Sequence, residues 1–188
     1  LGYNLSSSSK TKIGNSENDM GNNLPFVSLK SGLKVKKIAL GFDYTTVVLF
    51  YDGRIQGWGK NSDYRLGLGH NTNIGGFYND SLNFPIIKLG NQRKVKDVSV
   101  GLNHIGVILD TGDVLCWGVN TDGQLGQGNT TSSGPTPGTN SDYISNLNVV
   151  NIDSSKASKI VCGSGFTLVL LTDGNLKAWG NNTDGRLG

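Results

Sequence analysis

Along the chain, short apolar runs alternate with clusters of Gly, Asn, Asp and Ser, and the alternation returns on a fixed schedule. Phe26-Val27-Ser28-Leu29 is followed by Lys37-Ile38-Ala39-Leu40-Gly41 and by the run Val47 to Phe50. Pro85-Ile86-Ile87-Lys88-Leu89 is followed by Val98-Ser99-Val100-Gly101 and by Val107 to Leu109. Val149-Val150-Asn151-Ile152 is followed by Lys159-Ile160-Val161-Cys162-Gly163 and by Thr167 to Leu171. Short runs rich in β-branched residues predict strands, and no stretch carries the 3.6-residue apolar spacing of an amphipathic helix. After the third run of each set stands a turn pair, Asp52-Gly53, Thr111-Gly112 or Asp173-Gly174, suited to the positive φ of a tight hairpin. The strand that leaves each turn holds a Trp-Gly pair. Each set is therefore read as four short antiparallel strands.

The segment after that turn is itself written three times. Trp58-Gly59-Lys60-Asn61-Ser62-Asp63-Tyr64-Arg65-Leu66-Gly67, Trp117-Gly118-Val119-Asn120-Thr121-Asp122-Gly123-Gln124-Leu125-Gly126 and Trp179-Gly180-Asn181-Asn182-Thr183-Asp184-Gly185-Arg186-Leu187-Gly188 share Trp, Gly, Asn, Asp, Leu and Gly in place. Trp58, Trp117 and Trp179 are all the tryptophan in the chain, so each unit owns one. A fixed period of this size marks a repeat array. The units divide as 1–67, 68–126 and 127–188, and each is too small to bury both faces of its own sheet, so one cooperative array with its core between sheets is expected. The recurring Asp63, Asp122 and Asp184 are read as turn residues, because Asx side chains bond their own backbone. Calcium ligation is set aside, as neither the EF-hand nor the nonapeptide pattern is present.

Composition agrees. Of 188 residues 28 are Gly and 4 are Pro, and 36% are hydrophobic against 16% charged, which suits packed, turn-rich sheets and excludes a disordered chain. The net charge of +3 is too mild to name a partner. Lys30, Lys34, Lys36 and Lys37, with Arg93, Lys94 and Lys96 in the second unit, are read as a solvated loop edge, and contact with nucleic acid phosphate or an acidic protein surface is the weaker alternative. Cys116 and Cys162 stand in different units and are expected as buried free thiols. His70 and His104 have no Cys or His nearby in sequence, so no metal site is expected. No apolar run approaches the length of a membrane span, and residues 1–23 lack the basic start and apolar middle of a signal peptide. The chain opens on Leu1-Gly2, the pair that also closes every decapeptide. It is accordingly read as a window from a longer protein, with apolar faces left uncovered at both ends.

Gly41, Gly101 and Gly163 ahead of an apolar strand, the turn glycines Gly53, Gly112 and Gly174, the Trp-Gly pairs, and the pairs Leu66-Gly67, Leu125-Gly126 and Leu187-Gly188 together resemble the repeats of the regulator of chromosome condensation family. The resemblance covers essentially the whole chain. It implies an all-β fold in which each unit is a four-stranded antiparallel blade, the chain being three blades of a seven-bladed β-propeller. The family's usual His three residues after the strand-ending Gly is kept as His104, while Tyr44 and Phe166 stand in its place in the other units. His104 is read as structural and not catalytic.

Members of this family include an exchange factor for a small GTPase of the Ran type that also docks on nucleosomes, ubiquitin-ligase modules, an ultraviolet photoreceptor and a secreted β-lactamase inhibitor, so fold alone selects none of these activities. The photoreceptor requires clustered tryptophans, which one Trp per unit does not supply. The chain has no Gly-x-Ser-x-Gly elbow, no phosphate-cradling Gly-rich loop with Lys and no carboxylate set spaced for acid and base work. No catalytic, cofactor or metal residues are therefore expected. The reading is a non-enzymatic scaffold that binds a protein partner through loops, and the alternative is an exchange factor for a small GTPase or a chromatin-associated regulator. Partner identity has to come from positions that differ between units. Those are Asp43-Tyr44, Asn103-His104 and Gly165-Phe166 after the strand-ending glycines, and the aromatic residues Phe77, Tyr78 and Tyr143 in the long polar loops after Leu-Gly. The loop aromatics serve equally well as interface anchors or as packing lids over the blade edges.

Overall fold

A computed structural model of the chain describes residues 13–24, 26–75, 84–90, 92–132 and 143–188. Nine strands build three sheets: β1 (Val35–Leu40), β2 (Thr45–Phe50) and β3 (Ile55–Gly59), then β4 (Val95–Val100), β5 (His104–Leu109) and β6 (Val114–Gly118), then β7 (Ala157–Cys162), β8 (Phe166–Leu171) and β9 (Leu176–Gly180). Each sheet is an antiparallel meander in chain order. Among the described residues the helical structure is limited to 3-10 turns of three or four residues. The all-β propeller-blade architecture expected from the repeats is present.

The strand count per sheet is three where four were expected. The apolar run 85–89 does not open the second sheet. It lies along β3 through the isolated bridge Gln56↔Ile86 and the bond Ile87 N–H to Ile55 C=O, 2.9 Å. In the same way Val150 N–H donates to Val114 C=O of β6, 2.8 Å. The fourth runs of the second and third sets thus join the sheet that precedes them in the chain, by single bonds too sparse to make a ladder. Hydrogen bonding groups these runs with the other side of the sequence divisions at 67 and 126.

The local sequence explains the meanders. Gly53, Gly112 and Gly174 turn the β2–β3, β5–β6 and β8–β9 hairpins with φ of 85°, 83° and 89°, a region open to Gly at no steric cost. The Trp-Gly glycines meet a harder limit. A Cβ on Gly59, Gly118 or Gly180 would fall 2.0, 2.5 or 2.4 Å from the carbonyl oxygen of Tyr44, Asn103 or Gly165, which is held there by the next N–H of Lys60, Val119 or Asn181. All three first strands carry a bulge at the same place, Val35/Lys37, Val95/Asp97 and Ala157/Lys159, which increases local twist.

The core lies between sheets. Ala39, Val47, Leu49 and Ile55 of the first sheet pack on Val98, Val100, Ile105 and Trp117 of the second. Ile108, Val114 and Cys116 of the second pack on Ile160, Cys162 and Val169 of the third. The first strands are also stitched by polar bonds: Lys37 Nζ to Asp97 Oδ1 at 2.6 Å, Ile160 N–H to Asp97 Oδ2 at 3.3 Å and Cys162 N–H to Ser99 Oγ at 2.9 Å. The strand-ending glycines stand where these strands converge, and a Cβ on Gly101 would meet Gly163 O at 2.6 Å. The thiols are free and buried as expected, and burial pushes Cys162 up to about 12. They face one another across the boundary of the second and third sheets, at 3.4 Å (Cys116) and 2.9 Å (Cys162) from the Cβ that Gly106 lacks.

Candidate interaction site

The decapeptides and the loops β1–β2, β4–β5 and β7–β8 come together on one face, and the residues that build this face are the recurring ones. In each decapeptide the Asn closes the turn: Leu66 N–H donates to Asn61 Oδ1 at 2.9 Å, Leu125 N–H to Asn120 Oδ1 at 2.9 Å and Leu187 N–H to Asn182 Oδ1 at 3.0 Å. Asn61 and Asn120 are fully buried, and their Nδ2 groups hold the roots of the long loops, donating to His70 O and Thr72 O and to Asn129 O and Thr131 O. The turn chemistry attributed to the aspartates therefore belongs chiefly to these asparagines, whose recurrence three residues after each Trp was visible in the sequence. Asp63 and Asp184 instead pair with Arg65 and Arg186 two residues on, and Asp122 Oδ1 accepts from Asn181 Nδ2 at 3.3 Å.

The first two decapeptides also reach the next unit. Trp117 Nε1 donates to Arg65 O and Trp179 Nε1 to Gln124 O, both at 2.9 Å. Trp58 is stacked on Phe84 with ring centroids 4.8 Å apart. Trp117 and Trp179 thus share one carbonyl bond to the preceding decapeptide, and Trp58 makes a ring contact instead.

The residues proposed from the sequence have different fates. Asp43 is engaged in ion pairs, 2.7 Å from Lys60 and 3.0 Å from the fully buried Arg65, and Lys60 with Arg65 holds its carboxyl below the usual range against an upward push from burial. Arg65 also donates to Leu102 O at 3.0 Å, which ties the loop of the first unit to that of the second. Tyr44 is exposed and has a left-handed backbone with φ 58°. Asn103 and Phe166 are half-buried, and Arg186 lies over the Phe166 ring at 5.9 Å. Tyr143 opens the 3-10 turn Tyr143–Asn146. Phe77 and Tyr78 lie outside the described residues.

Tyr44 does not occupy the place of His104. Thr45 pairs with Gly59 as His104 pairs with Gly118 and Phe166 with Gly180, while the carbonyl of Tyr44 accepts the bond that Asn103 and Gly165 accept in their units. The first loop has one extra residue, and counting from Gly41 slips the register by one. His104 is buried and structural. Thr167 Oγ1 donates to Gln124 O at 2.9 Å, so at 2.9 Å from His104 Nε2 it accepts, which makes the ring the Nε2–H tautomer. His104 Nδ1 has no hydrogen-bond partner among the described residues, and burial lowers the pKa to about 4. The basic edge is partly consumed by structure. Lys37 pairs with Asp97, and Arg93 donates to Leu89 O, Ser145 O and Leu147 O. Among the described residues no three His, Cys, Asp or Glu groups are placed to hold a metal, and no helix is long and apolar enough to cross a membrane. Sequence reasoning missed Phe42, which is exposed beside Tyr44, because an apolar residue next to a strand end carries no sign of its burial.

Meandering sheets packed face to face, each joined to the next through a Trp on one side and a Leu-Gly turn on the other, define the blades of a β-propeller repeat protein. The model of the regulator of chromosome condensation (RCC1) repeat matches residues 52–108 and 111–170, and a second model of that repeat matches 35–65, 95–124 and 157–186. The chain belongs to the RCC1 repeat family. It is 30% identical over 175 residues to the ultraviolet-B receptor UVR8 of Arabidopsis thaliana, covering 93% of this chain and 35% of that protein. It is 26% identical over 160 residues to mouse Protein RCC2, covering 84% and 27%. Human WBSCR16 superposes with a TM-score of 0.61 at 22% identity, covering 84% of this chain and 37% of that one. Yeast RCC1 (Prp20), solved bound to Kap60, superposes with a TM-score of 0.57 at 22% identity, covering 81% and 31%. These two likenesses show the fold. The chain spans about a third of the length of the relatives it matches.

Proposed function

We propose that the chain is a non-enzymatic protein-interaction module that binds a partner protein through the face carrying its decapeptides and post-glycine loops. One observation carries this reading: on that face the residues common to the units hold the backbone, and residues that differ between units are displayed on it. The asparagines, tryptophans and glycines are occupied in bonds within and between blades. Tyr44, Asn103 and Phe166 stand on the resulting frame, and the long loops rooted at Asn61 and Asn120 leave from it. Phe77, Tyr78 and Tyr143 in those loops are the proposed anchors, with Tyr44 the exposed aromatic of the post-glycine set. Alanine at Tyr44, Phe77, Tyr78 or Tyr143 is expected to leave stability within about 0.5 kcal/mol, as for surface positions. The same substitutions weaken capture of a cellular partner by the immobilised chain, identified by mass spectrometry against the wild type. Unchanged capture through all four, or unfolding, removes the loop-face reading.

The finer reading is a guanine-nucleotide exchange factor or chromatin-associated regulator. Its support is the likeness to yeast Prp20p, a structure reported with its binding properties to Gsp1p and histones, at 23% identity and a TM-score of 0.53. Adding the chain to a Ran-type GTPase loaded with a fluorescent nucleotide separates the two. Accelerated release selects the exchange factor, and an unchanged rate leaves the interaction module.

A further inference from the structure

At the end of the sheets opposite the decapeptides, the start of each first strand carries lysine. Lys34, Lys94 and Lys156 hold one place in the repeat, since their carbonyls accept from Tyr51, Asp110 and Thr172 N–H at 3.0, 2.9 and 2.9 Å. Two positions on, the bulge of the first strand is filled by Lys36 and Lys96 in the first two sheets and by Ser158 in the third. Lys34, Lys36, Lys94 and Lys96 are all exposed. Lys94 and Lys96 belong to the middle sheet, which has a neighbour on both sides, so their exposure is a property of this end of the blade.

These lysines converge on the boundary between the first and second sheets. Lys36 Nζ crosses it and donates to Lys96 O at 3.1 Å. Lys94 lies on the hairpin turn of the first sheet: a Cβ on Gly53 would stand 2.7 Å from the Lys94 Cβ, and Val95 N–H donates to Gly53 O at 2.8 Å. Asp97 and Asp52 at this boundary are already paired, with Lys37 and Arg54, each at 2.6 Å. The next boundary differs. There Lys156 is paired with Asp113 at 2.7 Å, Ser158 takes the bulge, and exposed Asp110 is bonded through its N–H to the Lys94 carbonyl. Positive charge is therefore gathered at one boundary and bordered by acids on the side of the third sheet.

We propose that Lys34, Lys36, Lys94 and Lys96 bind a compact polyphosphorylated small molecule, one that carries several phosphate groups on a single scaffold. Ammonium groups on flexible stems meet phosphate oxygens as point charges. Like charges gathered on one edge raise the local potential, and a multivalent anion relieves their repulsion. A protein partner suits the cluster less well, because protein interfaces are depleted in lysine. A long nucleic acid also suits it less well, because its backbone would run on past Asp110 and Asp113.

Isothermal titration calorimetry of the chain with inositol hexakisphosphate as the probe tests the assignment. Wild type is expected to take up one equivalent, with an affinity that falls as salt is raised. Lys36→Gln with Lys96→Gln is expected to weaken binding by at least about tenfold, through the loss of two charge-assisted contacts. Lys34→Gln with Lys94→Gln is expected to do the same, and carries the test should loss of the Lys36 bond disturb the bulge. Lys88→Gln with Lys159→Gln removes the same charge from exposed positions elsewhere and is expected to change the affinity by less than about twofold. Circular dichroism of each variant confirms that the sheets are retained. Absence of saturable binding by wild type overturns the proposal. So does an equal loss in the Lys88 and Lys159 pair, or tighter binding of a duplex DNA than of the inositol phosphate at the same salt.

Discussion

Trp117 offers the sharpest test of how the sheets are joined. Its side chain is fully buried between the first and second sheets, and its indole N–H donates across that boundary to Arg65 O at 2.9 Å. Truncation to Ala removes the largest apolar group in this interface, and aromatic-to-alanine changes in a core cost about 3–5 kcal/mol. It also strands the Arg65 carbonyl, and a buried acceptor left without its donor accounts for about 1–3 kcal/mol, part of which the mutational range already contains. Trp179 makes the equivalent bond to Gln124 O but is only half-buried, so Trp179→Ala is expected to cost roughly half as much. Trp117→Phe keeps most of the apolar volume and isolates the bond at about 1–2 kcal/mol. Urea unfolding followed by far-ultraviolet circular dichroism gives the three values from the midpoints, provided the slope m is unchanged. Working at a protein concentration where a single chain is present keeps association out of the measurement. Equal losses at Trp117 and Trp179, or a Trp117→Ala loss below about 1 kcal/mol, would refute burial between sheets as the source of their stability.

Two further outcomes follow from the buried polar groups. His104 has a folded pKa of about 4 against an ordinary value of 6.5, so below pH 6.5 the unfolded chain takes up a proton that the folded chain refuses. Stability is expected to fall as pH drops from about 6.5 towards 4, by about 2 kcal/mol at pH 5. His104→Gln abolishes that part of the slope in urea midpoints taken at pH 7 and pH 5, and an identical slope in the variant would refute the assignment. Asn120→Ala removes four bonds of a fully buried amide, with Leu125 N, Asn129 O, Asn129 Oδ1 and Thr131 O, and is expected to cost about 3 kcal/mol. Asn182→Ala, at an exposed site with the single Leu187 bond, is expected to cost under about 1 kcal/mol by the same measurement.

Repetition made the blade itself legible. Alternation and β-branched content mark the strands, Asp-Gly and Thr-Gly mark the hairpins, and the three decapeptides set the period. These are local statements, because a hairpin glycine at positive φ or a Trp-Gly pair under a carbonyl oxygen answers to residues a few positions away. Recurrence also carried the asparagine turn closure, which the aspartate reading passed over. The aspartates matched a familiar turn preference, whereas the role of Asn61 and Asn120 depends on loops that return from nine to eleven residues away.

The sequence by itself thus determined an all-β array of three equivalent units, the residues that turn its hairpins and the tryptophan that each unit contributes. Tertiary structure decided which sheet the fourth runs of the second and third sets join, because the order of runs along the chain is compatible with pairing on either side and only the packed geometry places Ile86 beside Gln56. It decided the register of the first loop, where one extra residue moves Thr45 and not Tyr44 into the ladder position of His104. Above all it decided burial. Ile38 and Val98 are β-branched aliphatic residues at the same place in the repeat, and one is bare and the other buried because burial belongs to the neighbouring sheet and not to the residue.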